Sequence, residues 1–293
     1  MAEEFFSHGH RVLAVKLAYD GTEFSGYAKQ PNLRTVEGTL EDALRAVIRP
    51  PKFFRLSVAG RTDAGVHATA QFVSVTTNSG IDPEVAERSL SKLLPPDIAV
   101  SVSEAPLGFD ARRSALSRRY RYKLLTSPRP DPLRSTRAWW VGTLSEGAET
   151  ILHRAASLVV GTHDFSAFCK GATKTRSDNS NSGGEHGDAA GVGDEDHGTR
   201  ERTGTMRKVI FAQWSRPRCR DDPCCADELW FEIEANAFCH QMVRRIVGAM
   251  VHWARAEESP RRPEAVSEYR WKPAPPHGLY LIGVRYPPGT GVE

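Results

Sequence analysis

Val58-Ala-Gly-Arg-Thr-Asp-Ala-Gly-Val-His-Ala68 predicts a sharp turn that carries one carboxylate, Asp63, with Arg61 two residues before it. Glycine and alanine surround the carboxylate, which leaves room for positive φ angles and for a ligand to approach the backbone. Residues 71–76 have the composition of a strand, so we expect the turn to be anchored to a sheet. Aspartate beside glycine is also typical of ordinary turns. The stretch alone therefore does not distinguish a turn residue from a nucleophile.

Outward from this turn, strands and helices follow the same order in both halves of the chain. The first half predicts strands at residues 12–19, 56–58, 71–76 and 98–102, with a helix after Thr35 and another after Asp82-Pro83. The second half predicts strands at residues 117–125, 206–214, 229–235 and 279–284. It also predicts a helix over 151–159, with Gly161 in the position of its C-terminal cap, and a helix over 238–256. We therefore predict an α+β fold of two β-α-β-β-α-β-like halves, residues 1–110 and 111–293, with antiparallel sheets joined around a central cleft.

Residues 171–203 interrupt the second half. They contain Gly183-Gly184, many serines and asparagines and almost no large apolar side chain, so burial cannot offset the entropy of ordering. We expect a disordered insertion. Its seven acids and four bases give it a net charge of −3, which leaves +6 on the rest of a chain whose total is +3. Residues 111–140 hold nine arginines and lysines against one acid, Asp131, and this favours an anionic partner.

Composition narrows the class of protein further. No run of about 18 apolar residues is present, so we expect no membrane span. The first ten residues lack the basic start and apolar run of a signal peptide, which indicates a cytoplasmic protein. The five cysteines are then expected to be reduced thiols. Cys219, Cys224 and Cys225 lack the paired spacing of a zinc site, so we predict no metal.

Three further segments contain side chains that could act with Asp63. Tyr120 lies in Arg118-Arg-Tyr-Arg-Tyr122, where alternation also fits an ordinary core tyrosine. Arg244 and Arg245 flank the apolar stripe of a helix on opposite sides, and a helical wheel does not choose between them. Leu279-Tyr-Leu281 reads as a core strand in either case.

Taken together, these segments resemble the TruA-type tRNA pseudouridine synthases. The similarity runs from about residue 13 to residue 286, outside the insertion, with the motifs in the family's order. The matching motifs are Val58-Ala-Gly-Arg-Thr-Asp-Ala-Gly-Val-His-Ala68, Phe109-Asp-Ala-Arg-Arg-Ser-Ala115, Arg118-Arg-Tyr-Arg-Tyr122, His163-Asp-Phe-Ser-Ala-Phe168, Asn236-Ala-Phe-Cys-His-Gln-Met-Val-Arg-Arg-Ile-Val-Gly248 and Ala274-Pro-Pro-His-Gly-Leu-Tyr280.

The resemblance implies a role for four residues. Asp63 matches the catalytic nucleophile, and Arg61 matches the arginine that draws the target nucleotide out of its stem. Tyr120 matches the tyrosine that packs on the uracil and assists proton removal at C5. Arg244, rather than Arg245, matches the arginine that pairs with the aspartate.

The resemblance also implies isomerisation of uridines 38, 39 and 40 in the tRNA anticodon stem-loop by a homodimer. The reaction involves no net redox change or hydrolysis, so neither a cofactor nor a metal is expected. Two departures from the family pattern bear on substrate contacts. Tyr27-Ala28 replaces a usual Trp-Gln, and Ser91 replaces a usual asparagine.

Two other interpretations remain open at this point. The protein could use the same chemistry on a different RNA, or it could bind RNA through the basic segment at residues 112–137 without catalysis. Simple binding does not need an ionised acid facing an anionic ligand, and this favours the enzyme.

Overall fold

The computed structural model describes residues 11–48, 55–77, 79–170, 204–217, 226–266 and 271–292. The strands in these residues are β1 Arg11–Tyr19, β2 Arg55–Val58, β3 His67–Thr77, β4 Ile98–Ala105, β5 Ser117–Leu125, β6 Trp139–Trp140, β7 Gly161–Asp164, β8 Met206–Ser215, β9 Glu228–Ala235 and β10 Leu279–Arg285. The helices are α1 Val36–Ile48, α2 Pro83–Leu93, α3 Glu146–Leu158 and α4 Met242–Ala256. The predicted insertion at 171–203 and the three cysteines at 219, 224 and 225 lie outside the described residues.

The first half folds in the predicted order. Thr35 precedes α1 and its hydroxyl accepts the Gly38 N–H at 3.3 Å, which satisfies one free donor of the first turn. Asp82 caps α2 in the same way through the N–H groups of Glu84 and Val85, with Pro83 in the first turn. These local signals explain why the sequence predicted both helix starts correctly.

The strands form one continuous sheet. Its order is β4-β1-β3-β10-β5-β9-β8-β7, with β2 paired to β3 and β6 paired to β5. The pairs are antiparallel except β10 with β3 and β5 with β6. The α+β class is therefore confirmed, and the two predicted sheets merge edge to edge.

Strand β10 makes the junction between the two parts of the sheet. It runs parallel to β3, with Tyr280 opposite His67, and antiparallel to β5, with Leu281 opposite Tyr120. The N-terminal end of β3, where the Asp63 turn finishes, therefore lies two strands away from Tyr120. The division of the chain at residue 110 stays a prediction.

Apolar side chains cover both faces of the sheet. Leu13, Val15 and Leu17 of β1 belong to the larger core, to which all four helices contribute. Val12 and Ala14 point to the opposite face and join a smaller core. Because both faces of the sheet are packed, the strands that flank the turn after β2 hold its two ends in place.

The second half differs from prediction at three points. Helix α3 begins at Glu146, five residues before the predicted start, and ends at Leu158, so Gly161 is the first residue of β7. Two short strands, β6 and β7, were not predicted, because a two-residue and a four-residue strand have too little alternation to show. Helix α4 begins at Met242 instead of residue 238, since Gln241 adopts a left-handed conformation with φ +62° that ends any helical path through it. In the described part of the chain, every helix is too short or too polar to cross a bilayer.

Candidate active site

The Asp63 turn connects β2 to β3, and buried polar contacts fix its backbone. The hydroxyls of Tyr19 and Thr62 lie 2.7 Å apart, and the Tyr27 N–H donates to the Thr62 carbonyl at 3.0 Å. Gln71, which is fully buried, donates its side-chain amide to the Gly60 carbonyl at 2.6 Å. Burial raises the pKa of Tyr19 to about 12, so its hydroxyl stays neutral. The residue before Asp63 is thus held at both its side chain and its carbonyl.

Two glycines are required by the shape of this turn. Gly65 has φ +76°, and a Cβ there would lie 3.0 Å from the Pro276 ring. A Cβ on Gly21 would lie 2.0 Å from the Val66 carbonyl oxygen, so only glycine lets the loop after β1 approach the turn. The small residues noted in the sequence therefore serve close backbone packing.

The turn presents Asp63 to the first turn of α4. Arg244 Nη1 donates to Asp63 Oδ2 at 2.7 Å, and its Nε donates to the Ala274 carbonyl at 2.7 Å. The Arg244 side chain is only 11% exposed and that of Asp63 is 24% exposed, so water screens the pair weakly. The neighbouring Arg245 instead has its Nη2 3.5 Å from Gln241 Oε1. Tertiary structure thus brings Arg244 and Asp63 together across 181 residues.

A histidine that sequence reasoning assigned no role also reaches this carboxylate. His240 Nε2 lies 3.3 Å from Asp63 Oδ1. His240 precedes Arg244 by four residues, a spacing that would have placed both on one face of the helix predicted over 238–256. The residues lie together although the helix begins only at Met242.

Tyr120 lies at the floor of the same site. Its side chain is buried, its ring meets Phe238 edge-on with centroids 5.1 Å apart, and a Cβ added to Gly60 would lie 3.6 Å from its hydroxyl. Burial raises the pKa of Tyr120 well above the usual tyrosine range, and the nearby Tyr19 and Asp63 add to that shift. Tyr120 is therefore a neutral phenol at physiological pH.

An open cleft of about 1100 Å³ surrounds these groups. Arginines line it from both halves of the chain: Arg55, Arg61, Arg112, Arg113, Arg118, Arg207 and Arg244. Arg61 is exposed and its guanidinium makes no hydrogen bond or ion pair to the described residues. The lining also holds three acids, Glu37, Asp63 and Asp110, so its arginines outnumber its acids by seven to three. The cleft is suited to a large anionic ligand.

Arg118 ties the two sides of the cleft together, a role that the sequence did not reveal. Its guanidinium donates to the carbonyls of Ala59, at the start of the Asp63 turn, and of Asn236, just after β9. Desolvation by burial lowers the pKa of Arg118 from its ordinary value. An arginine bonded to carbonyls in this way acts as a structural clamp.

The departures from the family pattern have different surroundings. Tyr27 is fully buried and holds Thr62, the neighbour of Asp63, through its backbone. Ala28 is half-buried, and Ser91 is exposed on α2. Tyr27 therefore supports the turn itself and lies outside the open cleft.

The expectation of reduced cysteines is wrong for one pair. Cys169 and Cys239 form a disulfide with their Cα atoms 5.5 Å apart, although 70 residues separate them in sequence. Sequence spacing could not reveal a contact created by the fold. In the described residues, no three His, Cys, Asp or Glu side chains are grouped so as to hold a metal ion.

The fold and the site define an α+β protein with a carboxylate–arginine pair in an arginine-lined cleft. Comparison with known proteins gives the family. The family described as tRNA pseudouridine synthase matches residues 15–112 and 190–287. This chain belongs to that family.

Individual relatives agree with the family match over nearly the whole chain. The protein named tRNA pseudouridine synthase A in Frankia casuarinae is 38% identical, with 94% of this chain and 89% of that protein covered. Proteins of the same name in Streptomyces griseus and Chloroflexus aurantiacus are each 36% identical. The first covers 92% of this chain and 86% of its own length, and the second 95% and 90%.

Proposed function

We propose that this protein converts uridine to pseudouridine in tRNA, with Asp63 as the nucleophile. The observation that carries the proposal is the Asp63–Arg244 ion pair of 2.7 Å at the base of an arginine-lined cleft. The guanidinium holds Oδ2 of Asp63 in place, and a carboxylate is the form in which an aspartate acts as a nucleophile. Family membership and the names of the relatives support the reaction and the tRNA substrate.

The chemistry requires a nucleophile that forms a covalent adduct and a pocket that holds the freed base. Pseudouridine formation breaks the N1–C1′ bond, turns the uracil and rejoins it through C5, after which the C5 proton is lost and N1 carries a proton. A carboxylate adduct divides this rearrangement into easier steps. Tyr120 lies within the site and would hold the uracil, a contact worth about 1–3 kcal/mol when an aromatic ring stacks on a base. Its raised pKa means that it would assist proton transfer as a neutral phenol.

The exposed arginines of the cleft would bind the RNA. A uridine in a stem must leave the stack before its sugar or base can reach Asp63, at a cost of about a few kcal/mol. Arg61 is exposed two residues before Asp63 and would occupy or hold open the position that the base leaves. Arg55, Arg112 and Arg113 are exposed along the same cleft and would contact phosphates.

The finer features of the proposal come from the resemblance. They are uridines 38, 39 and 40 of the anticodon stem-loop as targets, a homodimer as the active form and the cytoplasm as the compartment. Mapping pseudouridine in total RNA from a deletion strain would test the targets. Loss at tRNA positions 38–40 supports them, and loss in another RNA contradicts them. Analytical ultracentrifugation tests the dimer, and a monomer at micromolar concentration would contradict it.

Substitution of Asp63 tests the chemistry directly. Asp63→Asn preserves the shape of the side chain but removes the charge, so pseudouridine formation on purified tRNA should be abolished while tRNA binding persists. Asp42→Asn, on an exposed position of α1, is the matched control and should retain full activity. Activity of the Asp63→Asn protein close to wild type would remove Asp63 from the proposed role.

A further inference from the structure

The two oxygens of Asp63 face two different partners. Arg244 Nη1 lies 2.7 Å from Oδ2, and His240 Nε2 lies 3.3 Å from Oδ1. The side chain of His240 is 54% exposed, whereas that of Arg244 is 11% exposed. The arginine therefore holds the carboxylate from the protein interior, and the imidazole borders it on the open side of the cleft.

A single ion pair leaves the orientation of the carboxylate loose. The last torsion of an aspartate side chain joins sp³ and sp² carbons and has a broad energy profile. Rotation about this bond moves both oxygens together, and the one contact of Oδ2 with Arg244 is compatible with a range of torsion angles. A contact at Oδ1 narrows the range. At 3.3 Å the contact is slightly longer than the usual N–H···O hydrogen bond, and it engages only one of the two lone pairs of Oδ1.

Contacts with a distant segment constrain the backbone on both sides of His240. Cys239 is joined to Cys169 by the disulfide, and the His240 carbonyl accepts the Lys170 N–H at 3.1 Å. Gln241 has φ +62°, a conformation that costs free energy unless its surroundings impose it. The constrained backbone fixes the point from which the His240 side chain reaches the carboxylate.

We infer that His240 is a positioning residue that fixes the rotation of the Asp63 carboxylate, so that Oδ1 faces the reacting sugar or base. The inference rests on the proposed function, in which Asp63 is the nucleophile. Misplacing a reacting group by about 1 Å costs on the order of 10²-fold in rate. Loss of the imidazole should therefore lower kcat and leave the KM for tRNA unchanged.

Three substitutions separate this role from the alternatives. The amide nitrogen of His240→Gln reaches about as far as Nε2, while that of His240→Asn stops near the position of Nδ1. We expect kcat within about 3-fold of wild type for Gln and a loss of at least about 10-fold for Asn and Ala. His153→Gln, on an exposed position of α3, is the control and should be fully active. Equal kcat in all His240 variants, or a raised KM at constant kcat, would overturn the inference.

A structural readout makes the test independent of turnover. Crystal structures of wild type and His240→Ala should show the Asp63 carboxylate rotated or in two orientations in the variant, with Arg244 in place. An unchanged single orientation would overturn the inference. If the wild-type protein forms no pseudouridine in tRNA, the proposed function fails, and this comparison still decides what His240 does.

Discussion

Replacing Arg244 by methionine would test the ion pair on which the proposed chemistry depends. At 2.7 Å and an effective dielectric constant of about 20, the Coulomb attraction between Arg244 and Asp63 is about 6 kcal/mol. Desolvating a guanidinium whose side chain is 11% exposed opposes this by several kcal/mol, so a net of about 3 kcal/mol remains. Without this attraction Arg244 no longer holds the carboxylate in place, and because misplacing a reacting group costs on the order of 10²-fold in rate, we expect kcat to fall about 10²-fold.

The assay is pseudouridine formation on purified tRNA, with tRNA binding measured in parallel. Methionine fills the space of the arginine stem, so the fold should persist with the Ala274 carbonyl left without its donor. Binding should change by less than about 3-fold, because one buried cation adds little to the charge that faces the ligand. Activity is compared well below the unfolding temperature, which separates chemistry from stability.

Arg245→Met is the matched control for this experiment. It makes the same substitution at the next position of α4, where the guanidinium lies near Gln241 rather than Asp63. Its kcat should stay within about 3-fold of wild type, since the charge removed does not touch the nucleophile. Near-normal kcat for Arg244→Met, or an equal loss for Arg245→Met, would refute the reasoning.

Three other predictions concern the turn, the disulfide and the tyrosine. Gly65→Ala should lower the free energy of unfolding by about 1–2 kcal/mol, because alanine disfavours φ +76°. Gly80→Ala, at a position with open space around it, should change that free energy by less than about 0.5 kcal/mol. Urea denaturation measures both variants, and equal effects would contradict this explanation. Reducing the Cys169–Cys239 disulfide, which spans 70 residues, should lower the free energy of unfolding by up to about 4 kcal/mol. Cys169→Ser should abolish this response to reductant. A wild-type denaturation curve that reductant leaves unchanged would argue against the crosslink. Tyr120 should remain protonated as pH rises through the usual tyrosine range, because burial raises its pKa. Wild type and Tyr120→Phe should therefore show the same phenolate absorbance at pH 10. A higher absorbance of wild type at that pH would show that the Tyr120 phenol is exposed.

Local signals predicted most of the elements. The alternation in β5 placed Tyr120 and Tyr122 on the buried face and Arg119, Arg121 and Lys123 on the other, and burial confirms that division. Helix starts at Thr35 and Asp82 follow from side chains that bond to N–H groups two or three residues on. Such interactions involve neighbours in the chain, so their information is present in the sequence.

The start of α4 was beyond local prediction. Residues 238–241 continue the apolar period of the helix, yet they form a separate segment with Gln241 at φ +62°. The disulfide from Cys239 and the Lys170 N–H hold this segment from a distant part of the chain. Tertiary contacts thus outweigh helix propensity, which amounts to less than about 1 kcal/mol per residue.

By itself, the sequence determined the α+β order of elements, the glycine-rich turn that carries Asp63 and the similarity to one family. Only the tertiary structure shows the contacts that this carboxylate makes. Arg244 and Arg245 are equivalent on a helical wheel; the family resemblance pointed to Arg244, and the fold brings that residue to Asp63. His240 and the Cys169–Cys239 crosslink likewise appear only when distant segments pack. The physical reason is that periodicity and caps act over a few residues, whereas this site joins side chains 181 residues apart.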